Sequence, residues 1–300
     1  MLNYFKNKRP QTDRDARHAG QLTPSNPGSG SGRIRPEIIV LPDNELRQME
    51  RPSLNRLPDL ADWEPGTRLT DLMRELWQPI CIHRKGWEYG IALEGLERLG
   101  VVNENAQALA IGAGSEPPLF YYANLIKKMV ATDLYDNPDH EGTPVMLTNP
   151  DAFAPFSYRR DHLQVMAMPG DKLDFDDESF DFAFCLSSIE HFGSRDTQRR
   201  SLAETARVLK PGGIYCCITE LILTEGHTHP EYFSFEEMHE IFFEPNGFKL
   251  VGGEPDYRIS QSLLDYPTTI PSEFSIRSPH IVLEQDGMKW TSFSMFLEKL

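Results

Sequence analysis

The run from Ala108 to Pro118, ALAIGAGSEPP, carries an apolar stretch straight into Gly112, Ala113 and Gly114, followed by a prolyl helix start. Residues this small let a ligand come close to the backbone. Nineteen residues beyond Gly114, MVATDLY ends a second apolar stretch on Asp133, where a carboxylate can accept hydrogen bonds from ribose hydroxyls. Together the two features describe a nucleoside site. A dinucleotide site would add a glycine three positions after Gly114, but that position is Pro117. Glu116, at the mouth of the next helix, repels the pyrophosphate that a bare helix N-terminus attracts. The same carboxylate suits a ligand carrying an ammonium and a sulfonium.

A second group of candidates follows the apolar run 180–186. Ser187, Ser188, Glu190 and His191 fall at the carboxyl end of a strand, where open α/β sheets bind ligands. An imidazole exchanges a proton near neutral pH, so His191 can serve as base; packing beside the ligand is the alternative. Glu190 carries the same two readings. Glu220 closes the run CCITE and is either a catalytic acid or the partner of a nearby Arg or Lys. In WQPICIHRKGWEYG, Trp77 to Gly90, Arg84 and Glu88 are the pocket candidates, while Trp87 and Tyr89 read as core and surface residues at helical spacing. TEGHTHPEYF, Thr224 to Phe233, is a solvated loop or a lid over substrate. His227 and His229, two apart with Glu225 and Glu231 nearby, form too weak a pattern for a metal site, and no metal is expected.

The elements that must position these groups read as βαβ units. Strands are expected near 107–111, 128–133, 163–168, 180–186, 212–219 and 247–252, with helices at 117–127, 195–209 and 235–244. A C-terminal hairpin turns on Asp286 and Gly287. Two helices precede the first core strand: one begins beyond Leu69 with Thr70 as N-cap and stops at Pro79, and one runs from Arg84 to Leu99 with Gly100 as its stop. Residues 1–45 carry few large apolar groups, and TPSNPGSGSG (Thr23 to Gly32) has the composition of a flexible coil, so this stretch reads as a disordered arm with a basic tip at Lys6, Lys8, Arg9, Arg14 and Arg17. The expected division is an arm over 1–45, a helical extension over 46–105 and a ligand-binding domain over 106–300. A net charge of −15 opposes a nucleic acid or anionic membrane partner. Cys81, Cys185, Cys216 and Cys217 form no C-x-x-C pair, and no run is apolar enough for a secretory signal or a spanning helix, which together point to the cytoplasm.

At AIGAGSE (Ala110 to Glu116) the chain resembles the class I S-adenosylmethionine-dependent methyltransferases, and Asp133 matches that family's ribose-binding acid. MPGDKLDFDDESFDFAFCLSSIEHFG, Met168 to Gly193, is similar to the family's adenine loop, fourth strand and following turn. LAETARVLKPGGIYCCITE, Leu202 to Glu220, is similar to its helix, Lys-Pro-Gly-Gly turn and fifth strand. The wording SSIEHFG resembles a bacterial branch of methyltransferase-domain proteins. The resemblance covers about residues 69–300. It implies a Rossmann-like, doubly wound, mostly parallel seven-stranded sheet with an antiparallel C-terminal strand. It implies S-adenosylmethionine as cofactor, held by Ile111, Gly112, Ala113, Gly114, Glu116, Asp133, Leu134, Met168, Pro169, Gly170, Asp171 and Ser187, with His191, Glu190 and Glu220 as catalytic candidates. Three positions depart from the family pattern: Ala110 stands where an acid is common, Glu116 at the usual third glycine, and Pro169 where an Asp often reads adenine. The expected activity is in-line methyl transfer to a small-molecule or glycan-type acceptor. The alternatives are a non-catalytic cofactor-binding regulator or scaffold, and, from the run Glu190 to Gly193, a lipid-modifying enzyme similar to cyclopropane synthases.

Overall fold

The computed structural model describes residues 32–76, 81–136, 143–244, 247–270 and 278–300. The basic arm tip, and Trp77 and Pro79, lie outside these residues. The alternating apolar runs become β2 (Gln107–Ile111), β3 (Lys128–Asp133), β4 (Leu163–Ala167), β5 (Phe180–Leu186), β6 (Leu209–Ile222) and β7 (Phe248–Leu250); a short β1 (Ile39–Leu41) precedes them. After β8 (Arg258–Ser260) come β9 (Thr268–Thr269), β10 (Leu283–Gln285) and β11 (Met288–Lys299). Among the described residues one sheet holds nine strands in the order β4-β3-β2-β5-β6-β11-β10-β9, with β7 also on β11. β11 alone runs against the rest. The expected α/β class and antiparallel C-terminal strand are borne out; β10 is the first arm of the expected hairpin, and the short β9 at the sheet edge was not expected. The hairpin turns on Asp286 and Gly287, both at positive φ (50° and 83°), the backbone an Asp-Gly turn requires.

β2, β3 and β5 are mostly apolar and buried along their middles because both faces of a parallel sheet are covered. From β2 the chain winds outward through β3 and β4, then returns to lay β5 and β6 on the other side. The winding direction reverses between β2 and β5, so a crevice opens there at the carboxyl ends of the strands.

Helices α1 (Arg68–Glu75), α2 (Arg84–Arg98), α3 (Pro117–Leu125) and α4 (Arg195–Val208) flank the sheet. Thr67, and not Thr70, caps α1: its hydroxyl accepts from Thr70 N, and the Thr70 hydroxyl donates back to Thr67 O. The helix thus starts at Arg68, earlier than a cap at Thr70 would allow, because Thr67 is the last residue with extended backbone. α2 ends as expected, its apolar stripe of Trp87, Ile91, Leu93 and Leu96 fully buried. The helix expected over 235–244 is a four-residue α turn, Phe235–Met238, continued by a π turn over His239–Phe243. β6 is longer than the expected 212–219. It begins at Leu209, and the Lys-Pro-Gly-Gly segment bulges inside it, since Phe180 pairs with Leu209 while Phe182 pairs with Ile214.

The arm was expected to run to residue 45, yet residues 34–46 pack on the fold. Ile34 bridges Thr224, β1 pairs with β8, and Leu46 is buried. Further along, Asn55 donates to Val251 O (2.8 Å) and accepts from Phe296 N (2.7 Å), which ties the extension to β11. Most buried apolar residues of extension and sheet share one core, and a smaller separate cluster of Ile222, Tyr232, Leu283, Met288 and Trp290 lies at the β10–β11 hairpin.

Candidate functional site

The glycine turn leaves β2 and enters α3. Gly112 and Gly114 both hold positive φ (65° and 49°), where a Cβ is strained. Their surroundings differ. A Cβ on Gly112 would stand 2.6 Å from Ser188 Cβ, so this glycine makes room for the turn after β5. A Cβ on Gly114 would meet nothing within 4 Å. Only the second glycine opens onto space a ligand can use. Ala113 N donates to Thr132 O (2.9 Å), and the buried Ile111 and Ala113 side chains face the core, so these two shape the turn from below.

Asp133, at the end of β3, braces the turn. Its Oδ2 accepts from Gly114 N (2.9 Å) and its Oδ1 from Leu134 N (2.7 Å). Each carboxylate oxygen keeps a second lone pair for a ribose hydroxyl. Leu134 follows with 55% of its surface exposed. Across the crevice, Met168 is buried, and its sulfur accepts from Asp174 N (3.3 Å). Pro169 is exposed, and Gly170 lies under the Phe192 ring, where a Cβ would stand 2.5 Å from Cε2. Asp171 pairs with Arg200 through its Oδ2 (2.9 Å). Phe192, which the sequence reading passed over, thus covers the floor between Gly112 and Gly170.

After β5, Ser187 holds φ 53°, rare for a residue with a side chain, and its hydroxyl has no hydrogen-bond partner among the described residues. Ser188 Oγ donates to Gly112 O (2.8 Å) and locks the two turns together. Glu190 is buried. Its Oε2 accepts from Thr219 (3.0 Å) while its Oε1 has no partner among the described residues. Burial pushes its carboxyl above the usual range, against the pull of His191. His191 Nδ1 lies 3.3 Å from Glu231 Oε1. Arg195 fixes the segment bearing Glu231: its guanidinium pairs with Glu237 (2.9 Å), donates to the carbonyls of Glu231 (3.0 Å) and Tyr232 (2.8 Å), and lies 4.1 Å over the Phe233 ring. His229 is used within that loop. Its Nδ1 accepts from Glu231 N (3.2 Å), and its ring stacks on Tyr232 at 4.0 Å. The loop read as solvated or a lid is therefore pinned to α4.

The far wall is a chain of buried charges that sequence spacing did not join. Lys85, on α2, reaches Glu116 Oε1 (3.2 Å), Glu88 Oε2 (2.9 Å) and Leu186 O (2.8 Å). Arg84 pairs with Glu220 and lies 3.7 Å from Glu88, whose Oε1 accepts from Ser292 Oγ (2.6 Å). The register of β11 on β6 sets Ser292 beside Glu220. Burial pushes Glu116 up to about 7, with Lys85 opposing and Glu88 adding. Burial would also raise Glu88, but Lys85 and Arg84 outweigh it and hold that carboxyl below its ordinary value. His280 stacks on His83 at 4.4 Å, and burial, with His83 and Arg84 nearby, pushes it down to about 3. Glu220 therefore has the arginine partner the plainer reading gave it. Arg84 and Glu88 belong to this wall, while Trp87 is core. The Lys85 to Glu88 spacing was a visible helical signal; its reach to β5 was not.

The methyltransferase domain family matches residues 109–217, the stretch that runs from the end of β2 through the glycine turn and Asp133 into β6. This stretch is a methyltransferase domain. The enzyme class and S-adenosylmethionine as its cofactor, both expected from the sequence, stand with that match. No curated protein matches the chain. Among solved structures it is similar to the YcgJ protein from Bacillus subtilis, at 16% identity over 71% of this chain and 97% of that one, TM-score 0.46. It is also similar to a SAM-dependent methyltransferase from Aquifex aeolicus (17%, 69% and 89%, TM-score 0.43). A third is 1,6-didemethyltoxoflavin-N1-methyltransferase from Burkholderia thailandensis, solved with S-adenosylhomocysteine (17%, 79% and 80%, TM-score 0.41).

The residues present fit this cofactor. Open space beside Gly114, spare lone pairs on Asp133, and acceptors at Glu116 and the Leu186 carbonyl answer a ribose and an ammonium, and the carboxylate at the start of α3 would repel a phosphate. No helix among the described residues is long and apolar enough to cross a membrane.

Proposed function

We propose that the domain methylates a small polar molecule or a glycan-type intermediate, with the acceptor entering beside His191. The observation that carries this reading is that Ser188, bonded to Gly112 O through its hydroxyl and to His191 N through its carbonyl, ties the glycine turn to the segment carrying the His191–Glu231 pair. When bound, S-adenosylmethionine supplies an electrophilic methyl on a sulfonium. The chain's task is then alignment: Asp133 and the Gly114 turn would hold the ribose, and Glu116 and the Leu186 carbonyl the ammonium, so that the acceptor meets the methyl in line. Glu231 would orient the His191 ring through Nδ1, so that Nε2 is the atom to take the acceptor's proton. Glu190, whose carboxyl burial raises and whose Oε1 has no partner among the described residues, is the second group that would meet the acceptor. Ser187, aimed by its strained backbone, would line the sulfur end of the cofactor. With a net charge of −15, a polyanionic acceptor such as nucleic acid is disfavoured.

Calorimetry with S-adenosylmethionine and S-adenosylhomocysteine tests the cofactor half of this reading, and labelled methyl transfer into a pool of polar metabolites tests the acceptor. Binding of both nucleosides and label in a polar product are expected. Heat from neither ligand in folded protein would overturn the proposal; label confined to lipid or nucleic acid would overturn the acceptor class.

A further inference from the structure

The Lys85 ammonium sits in the crevice where the winding of the sheet reverses, between the end of β5 and the first residue of the α3 cap. Its N–H groups donate to the Leu186 carbonyl at 2.8 Å and to Glu116 at 3.2 Å, and Glu88 Oε2 lies 2.9 Å away as an ion pair outside hydrogen-bond geometry. None of the three carries a donor when the carboxylates are ionised, so the set is complementary to a primary ammonium and to little else. Two of the three, Glu116 and Leu186 O, are the acceptors the glycine turn and β5 present to a ligand lying along the crevice. Lys85 arrives from outside the matched domain, on α2, by a flexible four-carbon stem that can swing without moving the helix.

We propose that the Lys85 ammonium competes with the α-ammonium of the cofactor's amino-acid end for this one acceptor set, so that Lys85 sets how tightly the domain holds nucleosides bearing that end. The inference rests on the cofactor reading above. It separates two classes of ligand. A nucleoside with an ammonium-bearing tail must displace Lys85, whereas one without the tail can use the Gly114 turn and Asp133 while Lys85 stays in place. Glu88 keeps Arg84 at 3.7 Å and the Ser292 hydroxyl when Lys85 leaves, so the displaced lysine does not strand a bare buried carboxylate.

The test uses the full chain with two probes, S-adenosylhomocysteine, which carries the tail, and 5′-methylthioadenosine, which lacks it. Calorimetry on Lys85→Met is expected to show S-adenosylhomocysteine bound roughly tenfold tighter than by the natural chain, the scale of one charge-assisted hydrogen bond, with 5′-methylthioadenosine changed by less than about twofold. Unchanged or weaker binding of S-adenosylhomocysteine would overturn the competition while leaving the cofactor reading intact. No heat from either probe with either protein would overturn the cofactor reading itself, and the competition with it. Should Lys85→Met not fold, the natural chain decides alone. The Lys85 15Nζ resonance, held in slow exchange by its three partners, is expected to exchange rapidly once S-adenosylhomocysteine is added and to stay protected with 5′-methylthioadenosine. Continued protection at saturating S-adenosylhomocysteine would overturn the proposal.

Discussion

Two clusters of buried charge, one under the N-terminal extension and one at the strand ends, are built from the same residue types and differ in what they leave unsatisfied. Under the extension, Asp256 accepts from Arg51 Nε (3.0 Å), Arg258 Nε (2.8 Å) and Arg258 N (3.0 Å). Asp62 takes Arg56 (2.6 Å) and Asp59 N (3.0 Å), and Asp59 takes Ser260 N (2.7 Å) and its hydroxyl (2.9 Å). Burial alone would raise the Asp256 carboxyl, but its arginines hold it down at about 2. At the strand ends, by contrast, Glu116 is pushed up to about 7, Glu190 has an oxygen with no partner among the described residues, and so has the Ser187 hydroxyl. Carboxylates that are fully used hold two segments together; carboxylates left short of donors are prepared for a ligand's.

The contrast can be broken most severely at Asp62. Asp62→Ala strands the buried Arg56 guanidinium and is expected to cost about 3–5 kcal/mol of unfolding free energy in denaturant titration, with S-adenosylhomocysteine affinity unchanged wherever the protein remains folded. A comparable loss of affinity would show that the two clusters are coupled. At the strand ends, His191→Ala is expected to lower methyl-transfer turnover by roughly 10²- to 10⁴-fold at unchanged cofactor affinity, the range for loss of a general base. Parallel loss of affinity and rate would assign His191 to packing instead. Asp133→Ala removes the ribose acceptor and is expected to weaken S-adenosylhomocysteine by about 1.5–3 kcal/mol in calorimetry. Its stability effect should be smaller, because Gly114 N and Leu134 N sit in a part-exposed turn that water reaches.

The pH dependence sharpens the comparison at one carboxyl from each cluster, since Glu116 and Asp256 are shifted in opposite directions. Glu116 has a folded-state pKa raised to about 7, so its contribution to stability is full below about 4.5 and is lost as the pH rises through 7. That span is worth up to about 3 kcal/mol, and Glu116→Gln is expected to remove the slope from denaturation measured across it. Asp256 is depressed to about 2, so its contribution is present above 3.8 and fades as the pH falls through 2. His280, lowered to about 3, likewise contributes above 6.5 and loses that contribution as the pH falls toward 3. Asp256→Asn should flatten only the acid limb. A change in the neutral limb instead would contradict the separation of the two clusters.

Local pattern exposed the turn and the strands because each depends on neighbours in the chain. AIGAGSE after an apolar run, and Asp133 at the end of the next, meet across adjacent parallel strands whose pairing follows from their order. The room beside each glycine was not local: Gly112 is filled by Ser188, seventy-six residues on, and only Gly114 stays open. Asp171 has the composition of a pocket residue, yet Arg200, one face of α4 away, takes it. The run Ile38 to Leu41 is as apolar as a core strand, but the partners that hold this stretch on the fold, β8 for β1 and Thr224 for Ile34, lie far along the chain and leave no local mark beside it.

The sequence by itself determined the α/β class, the glycine turn, its ribose acid and the rim at which chemistry can occur, since periodicity and turn chemistry act over a few residues. Tertiary structure alone decided that Lys85 lies against Leu186 O and Glu116, that Arg84 neutralises Glu220, and that Glu231 faces His191. Each of those contacts joins segments far apart in the chain, and a charge carries no record in its own neighbourhood of the partner that folding brings within 3 to 4 Å.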